Sequence, residues 1–565
     1  MKRSQVKINL VVIFIYFILA LIFDYVLFKY HLVWGSNDAK FHIGRINEWL
    51  AAPTGGFPFL STHSQSAVGS QVNVFYPSQM LQPLIILIKV FQHPVTCLFI
   101  YATLLSVLTA ILTDYAVFSV IKDRQLSFLT AVLYTFSAYR MMDFYQQFDL
   151  GEFIALTFLP LVFTGFYHMM KHHNEKLQIV FGLTGMLFSH VVLTFLAILF
   201  LVALFLLALL RSSKRQQLLG DGILLGVCTL ALSSVFWLPM ISHQLTTISG
   251  LEPTYWKESV VTTNSLSVIG QNLLRNRILY FHTPGTFLTF SGLIVSVSIF
   301  IHYRKMNSLW MTTALLFILT LWLITPLFPW SLFKNTIIVV IQMASRFSAF
   351  ATFFASGLVA YGITRVCNNI QGRQIFYFLT IILACGMTLS SIQDVANEYT
   401  ANQIPVVTNQ NFRQFSAIDH RQESFDYFPH KSRPFVSELS ESTAIINGTA
   451  QKIVGQSQFN AIKYHIITTQ SRNNQLDLPF LNYNRTYYQV KVNGKKVPFQ
   501  ISRRGTFLIK TNQRDNQIQI AYRPSMIDRY SWLISAITLI ILMGYYWFLK
   551  SKPKSRRELS KLVKA

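Results

Sequence analysis

Long apolar runs separated by short polar segments dominate the chain from about residue 8 to residue 549. A helix needs about 20 apolar residues to cross the hydrocarbon core of a bilayer. The pattern therefore predicts about twelve membrane-crossing helices, near residues 8–29, 95–121, 125–138, 152–170, 176–190, 191–210, 217–236, 285–302, 308–326, 346–366, 374–392 and 530–549. A further apolar run at 78–91 is ambiguous. We interpret it as a helix lying in the outer interface, because a crossing there would place Lys122-Asp-Arg124 outside.

Residues 393–529 change to a composition rich in Asn, Gln, Ser and Thr, and near their end apolar and polar positions alternate. Asn493-Gly494 separates the alternating run Tyr487 to Val492 from Lys495 to Ile501, which is a strong hairpin signal. Two further alternating runs follow, at 506–510 and 517–522. The fold class predicted is an α-helical polytopic membrane protein with a small β-sandwich-like domain at 393–529, between the last two helices.

Charge orients the helices. The chain carries a net charge of +25, yet only 13% of its residues are charged and 52% are hydrophobic. Its basic residues form short clusters between apolar runs, which is the positive-inside pattern and not a nucleic-acid-binding surface. It predicts cytoplasmic termini, a basic cytoplasmic tail at 550–565, outer loops at 31–93, 139–151 and 240–284, and an extracellular domain at 393–529.

The four cysteines lie in or beside apolar runs, which argues against a disulfide framework or a zinc site.

The first outer loop carries Asp38, His42 and Arg45 at helical spacing directly after the first apolar run. A carboxylate is costly where a chain leaves lipid unless it binds or reacts with something. Asp38 is thus a candidate catalytic residue, although it could also simply cap the helix. Lys40 and Glu48, on the same predicted helix, are expected to be solvated charges of an amphipathic face.

A second acidic group occupies the next outer loop, where Arg140, Asp143, Asp149 and Glu152 are crowded between two apolar runs. The acids could pair with the arginine, or they could serve a phosphate-linked substrate with or without a divalent cation such as Mg or Mn. We weigh the two interpretations equally.

Two isolated polar residues lie at predicted outer helix ends. His190 is the kind of residue that is most often structural, although it is a candidate substrate ligand here. Arg346 could extend its charge to the interface or face inward and bind phosphate.

Several of these residues stand in motifs that resemble two bacterial groups of polytopic membrane proteins: those related to 6-pyruvoyl-tetrahydropterin synthase, and the YfhO-like family. The resemblance spans nearly the whole chain, and its motifs are Gly35-Ser-Asn-Asp-Ala-Lys-Phe-His42 with Arg45, Phe75-Tyr-Pro77, Phe136-Ser-Ala-Tyr139, Asp149-Leu-Gly-Glu152, Phe158-Leu-Pro160, Ser189-His190, Phe236-Trp-Leu-Pro239, Ile341-Gln-Met-Ala-Ser-Arg-Phe347 and Asp426-Tyr-Phe-Pro429. The zinc-ligand pattern of a pterin synthase is not seen.

The resemblance implies a GT-C glycosyltransferase, which uses a polyprenyl-phosphate sugar and an acidic base in the first outer loop. Asp38 matches that position. The chain departs from the pattern by having one acid there instead of two, and Gln342-Met-Ala-Ser-Arg346 where an aromatic-Pro-Trp-Arg run is common. These departures bear on metal dependence and on the shape of the substrate pocket.

The function expected is transfer of a sugar to a cell-envelope glycan or polymer at the outer face, with Asp38 as base and Arg45 or Arg346 binding the leaving phosphate. Asp143, Asp149 and Glu152 would bind sugar hydroxyls or a cation. Two other classes stay open. A lipid-linked saccharide flippase would need charged groups along the membrane interior, and a non-catalytic envelope assembly protein would tolerate loss of Asp38.

Overall fold

Helices form most of the protein in a computed structural model, which describes residues 9–247, 260–278, 283–367, 369–415 and 427–551. The described helices are α1 (Leu10–Tyr30), α2 (Ala39–Ala51), α3 (Val72–Phe75), α4 (Gln82–Phe91), α5 (Pro94–Ile121), α6 (Arg124–Thr135), α7 (Ala138–Met142), α8 (Leu150–Ala155), α9 (Leu159–Met170), α10 (Gln178–Leu187), α11 (Val191–Arg211), α12 (Arg215–Leu232), α13 (Ser234–Thr246), α14 (Leu266–Leu274), α15 (Thr286–Ile301), α16 (Ser308–Ile324), α17 (Ser348–Val366), α18 (Ile370–Ala401), α19 (Phe412–Phe415), α20 (Val436–Ser440) and α21 (Met526–Ser551). Most of the basic tail, part of the third outer loop and Asp426 lie outside the described residues.

Six described segments are long and apolar enough to cross a membrane: α1, α5, α11, Ala344–Val366 (a 3₁₀ turn continuing into α17), α18 and Met526–Tyr545 of α21. A seventh results if α12 and α13, which bend by 79° at their junction, form one span. The expected count of about twelve is not confirmed. Two predicted runs form helices of only 12 and 10 residues, α6 and α10, and the run at 152–170 breaks between α8 and α9, where Pro160 occupies the first turn of α9.

The predicted interfacial run at 78–91 is also helical, but the apolar segment Gln79–Phe91 is short for a crossing. With six or seven described segments long enough to cross a membrane, and several shorter apolar helices, the chain is a polytopic membrane protein.

The C-terminal region forms two five-stranded sheets, with strand orders β10-β11-β7-β3-β4 and β5-β6-β12-β8-β9. Their strands are β3 (Thr443–Ile446), β4 (Thr449–Lys452), β5 (Gln456–Gln458), β6 (Ala461–Ile467), β7 (Asn474–Leu481), β8 (Tyr488–Val492), β9 (Lys495–Lys496), β10 (Gln500–Ile501), β11 (Thr506–Thr511) and β12 (Asp515–Tyr522). One buried apolar cluster contains side chains from both sheets. The β-rich region is therefore confirmed, although α18 continues through Ala401, so the first residues of the predicted domain are helical.

The predicted hairpin is confirmed: Val492 pairs with Lys495, and Asn493 and Gly494 both have positive φ, as a two-residue turn of this kind requires. The second alternating run, Lys495 to Ile501, does not form one continuous strand. That segment supplies β9 to one sheet and β10 to the other. Pro498 lies between them and cannot donate to a ladder.

A short ribbon fixes the start of the first polar loop. β1 (Val33–Trp34) pairs with β2 (Val406–Val407), which follows α18, and the Gly35 N–H donates to Pro405 O at 2.6 Å. A side chain at position 35 would come within 2.3 Å of the Phe415 ring. Glycine is therefore needed for the close approach that places Asp38 three residues further on.

Glu48 is a correction to the expected solvated face of α2, because its side chain is buried. Its Oε1 atom accepts hydrogen bonds from the backbone N–H groups of His63 and Ser64, each at 2.7 Å, and from Ser64 Oγ at 2.8 Å. A buried carboxylate is stable only when such donors replace water. Glu48 therefore holds the loop after α2 against that helix.

Candidate functional site

Polar side chains from four separate parts of the chain converge beside the beginning of α2. They come from the first residues of that helix, from the start of α8, from the residue before α11 and from the turn before α17. The cluster consists of Asp38, His42, Asp149, Glu152, His190 and Arg346. The structure thus brings together residues that the sequence places in four distant segments.

Asp149 is the centre of this cluster. Its Oδ1 atom accepts hydrogen bonds from Tyr76 Oη at 3.2 Å and from the Glu152 N–H at 3.0 Å. The Nε2 atoms of His42 and His190 each lie 3.5 Å from a carboxylate oxygen of Asp149. Burial alone would raise the pKa of Asp149, but His190, His42 and the Glu152 N–H together hold that pKa well below its ordinary value. These contacts therefore favour the charged form of Asp149.

Local sequence explains this position. Residues Asp143–Gln147 form a π-helical turn, and Phe148 follows with φ of 57°. That geometry ends the preceding helix, and Asp149 then caps α8 by accepting from the Glu152 N–H. Glu152 lies one turn into α8 and points to the same cluster.

Glu152 joins the cluster to Arg346. Tyr139 Oη donates to Glu152 Oε1 at 2.5 Å, and Arg346 Nε lies 3.4 Å from Glu152 Oε2. Burial raises the pKa of Glu152 to about 7, although the Arg346 charge opposes the shift. Glu152 can therefore exchange a proton near neutral pH.

Arg346 faces inward and is buried, so it does not extend to an interface. Its Nη1 group donates to Ile341 O at 2.8 Å and to Gln342 Oε1 at 2.6 Å. These two acceptors hold the guanidinium in one orientation beside Glu152. Of the two orientations left open by the sequence, the structure has the inward-facing one.

Gly151 permits the closest approach in the cluster. A Cβ atom at this position would lie 2.1 Å from Tyr76 Oη and 2.9 Å from the Ser189 backbone oxygen. Any side chain would therefore push Tyr76 away from Asp149 or move the turn that carries His190.

Asp38 occupies the N-cap position of α2, but its side chain does not bond to the helix N–H groups. Instead Gln147 Nε2 donates to Asp38 Oδ2 at 3.0 Å, and the Asp38 N–H donates to Gln147 O at 3.1 Å. Plain capping is therefore not what the carboxylate does. Asp38 is partly exposed, and burial together with the Asp149 charge raises its pKa. A raised pKa is the property expected of a general base.

His42 is buried between Asp38 and Asp149 in the cluster. Its Nδ1 atom has no hydrogen-bond partner among the residues that the structure describes, while Nε2 faces Asp149. A buried polar atom without a partner is costly. It is therefore a natural contact point for a substrate or a water molecule. His190 is buried too, and burial lowers its pKa to about 4, which keeps the imidazole neutral.

Arg45 donates to α3 and to the loop that follows this helix. Its Nη2 group donates to Tyr76 O at 3.1 Å and Pro77 O at 2.6 Å, its Nε to Asn73 Oδ1 at 3.3 Å, and its guanidinium lies 4.2 Å from the Tyr76 ring centre. These contacts hold the loop that supplies Tyr76 to Asp149.

Arg140 and Asp143 lie behind the cluster. Arg140 Nη1 donates to Ser106 Oγ at 3.1 Å, and its guanidinium stacks 3.9 Å from the Phe153 ring centre. Both carboxylate oxygens of Asp143 are buried, and neither has a hydrogen-bond partner within the described ranges. Burial and the Glu152 charge raise the pKa of Asp143 well above its ordinary value. Asp143 therefore holds a proton more readily than an ordinary aspartate does.

Donor atoms suited to a metal ion also meet in this cluster. One ligand atom each from Asp149, Glu152 and His190 lie within 4.8 Å of one another. Two carboxylates and an imidazole suit Mn²⁺, and Mg²⁺ would use the carboxylates and water. The residues present therefore fit a divalent cation.

Three further side chains hydrogen-bond to the cluster although the sequence does not mark them as candidates: Tyr76, Tyr139 and Gln147. The two tyrosines belong to motifs of the family resemblance, Phe75-Tyr-Pro77 and Phe136-Ser-Ala-Tyr139. Membership in these motifs is the sequence feature that could have identified them. Gln147 has no such feature, because its role depends on the π-helical turn that presents it to Asp38.

No protein-family model matches the sequence, and no curated protein matches it. Among solved structures, the chain is similar to the arabinofuranosyltransferase AftD from mycobacteria, determined by cryo-electron microscopy. The identity is 12% and the TM-score 0.44, over 70% of this chain and 27% of AftD. The chain therefore corresponds to well under half of that protein, and a similarity at this level does not assign a function.

Proposed function

We propose that this protein is a membrane glycosyltransferase of the GT-C kind, which transfers a sugar from a polyprenyl-phosphate donor to a cell-envelope glycan or polymer. The observation that carries the proposal is the cluster itself: a partly exposed carboxyl of raised pKa, Asp38, beside a buried arginine, Arg346, and buried acids. Base, anion ligand and hydroxyl ligands are the groups that glycosyl transfer from a phosphate requires.

The proposed reaction is a single inverting displacement. Asp38 takes the proton of an acceptor hydroxyl as its oxygen bonds to the anomeric carbon of the donor sugar. The bond from that carbon to the phosphate oxygen breaks, and polyprenyl phosphate leaves with the electron pair. Gln147 fixes the Asp38 carboxylate by its 3.0 Å hydrogen bond, so the base is oriented before the acceptor arrives.

Arg346 would stabilise the phosphate, whose negative charge grows as the bond breaks. In the described structure Glu152 faces the Arg346 Nε atom. A bound phosphate would compete with Glu152 for this arginine, and Glu152 can take up a proton because its pKa is raised to about 7. His42, with its open Nδ1 atom, and Asp143, whose carboxylate oxygens have no hydrogen-bond partner among the described residues, would contact sugar hydroxyls.

A Mg or Mn ion at Asp149, Glu152 and His190 is part of the proposal as an alternative to charge neutralisation by Arg346 alone. When bound, such an ion would neutralise the phosphate of the donor. Asp149 would be its main ligand, because the contacts of this acid lower its pKa and favour its charged form.

The donor's isoprenoid chain has a suitable place. An apolar cleft of about 450 Å³ lies between α1 and α18, lined by Ile18, Leu21, Ile22, Tyr25, Val26, Leu389 and Gln393. Further along α18, Tyr399 Oη donates to Gln146 O at 3.0 Å, next to the residue that holds Asp38. A lipid chain in this cleft would thus point its phosphate end toward the cluster. We propose that the cluster and the β-sandwich lie on the outer face, with the sandwich presenting the acceptor and both termini in the cytoplasm.

Asp38→Asn tests the function directly. Asparagine keeps the size and can still accept from Gln147, but it cannot take up the proton. Transfer from a polyprenyl-phosphate sugar in proteoliposomes should fall by about 10²–10⁴-fold, while donor binding and protein yield stay unchanged. Asp394→Asn, which alters an exposed acid on α18, is the matched control.

Full transfer by folded Asp38→Asn protein would overturn the catalytic assignment. Donor movement across the bilayer without any transfer in the wild type would instead identify a flippase. Glycan mass profiles of cell envelopes with and without the protein identify the sugar and acceptor.

A further inference from the structure

Helix α9 ends in a turn that brings two histidines together, at the other end of this helix from the acidic cluster. His172 has a positive φ of 54°, the His173 N–H donates to His168 O at 2.9 Å, and the His172 N–H donates to Met169 O at 3.0 Å. This pair of bonds defines a Schellman motif, in which the side chains of the first and last residues usually make an apolar contact. Here both side chains are imidazoles.

The two rings face each other through the same kind of atom. His168 Nδ1 and His173 Nδ1 are 3.2 Å apart. Two nitrogens bound to one tetrahedral Zn²⁺ at about 2.0–2.1 Å are separated by about 3.3 Å. Glu175 supplies a third donor, and the three ligand atoms lie within 4.8 Å of one another.

A buried hydroxyl lies against the other ring nitrogen of His168. Ser119 Oγ is 2.7 Å from His168 Nε2 and 2.6 Å from Ala116 O. With the Ser119 hydroxyl hydrogen on Ala116 O, Ser119 accepts from His168 Nε2–H. That arrangement leaves the lone pair of His168 on Nδ1, 3.2 Å from His173 Nδ1. Orientation of a metal-binding histidine through its other nitrogen is the usual arrangement around metal sites.

The neighbouring side chains are engaged elsewhere. Asp221 of α12 pairs with Lys176, and His172 Nδ1 lies 3.4 Å from the same carboxylate. This pairing offsets the charge of Lys176, which follows Glu175 in the sequence. It also gives the loop a histidine that does not face the other two.

We propose that His168, His173 and Glu175 form a binding site for a divalent transition-metal ion, with Zn²⁺ as the best fit to two imidazoles and a carboxylate. A water molecule would complete the tetrahedron. The ion would tie the loop after α9 to α5 through His168 and Ser119. Its place in the fold separates it from Asp149, Glu152 and His190.

The test uses the full-length protein in detergent, stripped of metal with a chelator and titrated with Co²⁺. Tetrahedral Co²⁺ gives strong visible absorption, and Zn²⁺ should displace it. Binding of a single ion with this spectrum is expected in the wild type and in His190→Gln, which removes a ligand of the other candidate site.

His173→Gln should weaken this binding by more than about 10-fold, since loss of a direct ligand exceeds the usual effect of losing a residue that only orients one. His173 is exposed, so the variant should fold. His172→Gln is the matched control from the same loop and should bind as the wild type does.

Equal binding in His173→Gln and the wild type would overturn the proposal. So would the lack of any tetrahedral Co²⁺ spectrum in the wild type. The two histidines would then simply share a proton between their Nδ1 atoms.

Discussion

Arg346 Nε lies 3.4 Å from Glu152 Oε2, and both side chains are buried. Breaking a buried ion pair by removing one partner is costly, because the other charge is left without compensation. Glu152 also accepts from Tyr139 Oη at 2.5 Å. The pair therefore fixes the turn before α17 to α8 and keeps an arginine charge at the centre of the proposed site.

Arg346→Lys should weaken use of the lipid-linked donor. Lysine keeps the charge but loses the planar fork that reaches Glu152, Ile341 and Gln342 together. Loss of a hydrogen bond to a charged group costs about 1.5–3 kcal/mol. We expect a fall in kcat/KM of about 10–100-fold, measured by transfer from the polyprenyl-phosphate sugar.

Arg413→Lys, an exchange at an exposed position, serves as the control and should leave kcat/KM unchanged. Wild-type kinetics in Arg346→Lys would remove the arginine from the phosphate-binding role.

The raised pKa of Glu152 makes the stability of the protein depend on pH. Its folded pKa is raised to about 7 from 4.5, so the folded state holds a proton that the unfolded state has already lost between these values. The contribution to stability is present below about pH 4.5 and is lost as pH rises through about 7. The Tm of the purified protein should therefore fall between pH 5 and 8 by more in the wild type than in Glu152→Gln. Equal slopes would show that Glu152 does not hold this proton.

Gly151→Ala tests the close approach of Tyr76. The new methyl group would lie 2.1 Å from Tyr76 Oη and 2.9 Å from Ser189 O, so Tyr76 must leave Asp149. We expect lower transfer activity and a lower Tm. Gly226→Ala, at a helical position with open space around it, should instead keep the activity and raise stability by about 0.5–1 kcal/mol. Similar behaviour of the two variants would contradict the packing argument.

The sequence predicts what depends on local pattern. Long apolar runs correctly predict α1, α5 and α11, and the Asn493-Gly494 turn correctly predicts the hairpin. Asp38, Asp149, Glu152 and Arg346 are candidates from the sequence because they are charges beside apolar runs that need a reason to be there, and the structure brings these four side chains together.

The rest depends on tertiary contacts. Hydropathy does not distinguish a crossing helix from a buried short one, so α6 and α10 were predicted as crossings. The burial of Glu48 cannot be predicted from its own helix, because its two backbone donors lie 15 and 16 residues further along the chain. Gln147 was missed because only the folded π-helical turn points it at Asp38.

The basic clusters between apolar runs predict that the β-sandwich lies outside the cell and that the loop between α15 and α16 lies inside. Lys496 lies exposed on β9 of the sandwich, and Arg304 lies exposed between α15 and α16. A cysteine at Lys496 is preferable to one at Asn493, because Asn493 Oδ1 accepts from the Gln517 N–H at 2.7 Å and Nδ2 donates to Asp515 O at 2.9 Å.

In intact cells a membrane-impermeant thiol reagent should label Lys496→Cys, whereas Arg304→Cys should react only after lysis. The unmodified protein measures the background from its own four cysteines, of which Cys97, Cys367 and Cys385 are buried. Labelling of Arg304→Cys in intact cells, with Lys496→Cys protected until lysis, would reverse the orientation and place the proposed site on the cytoplasmic face.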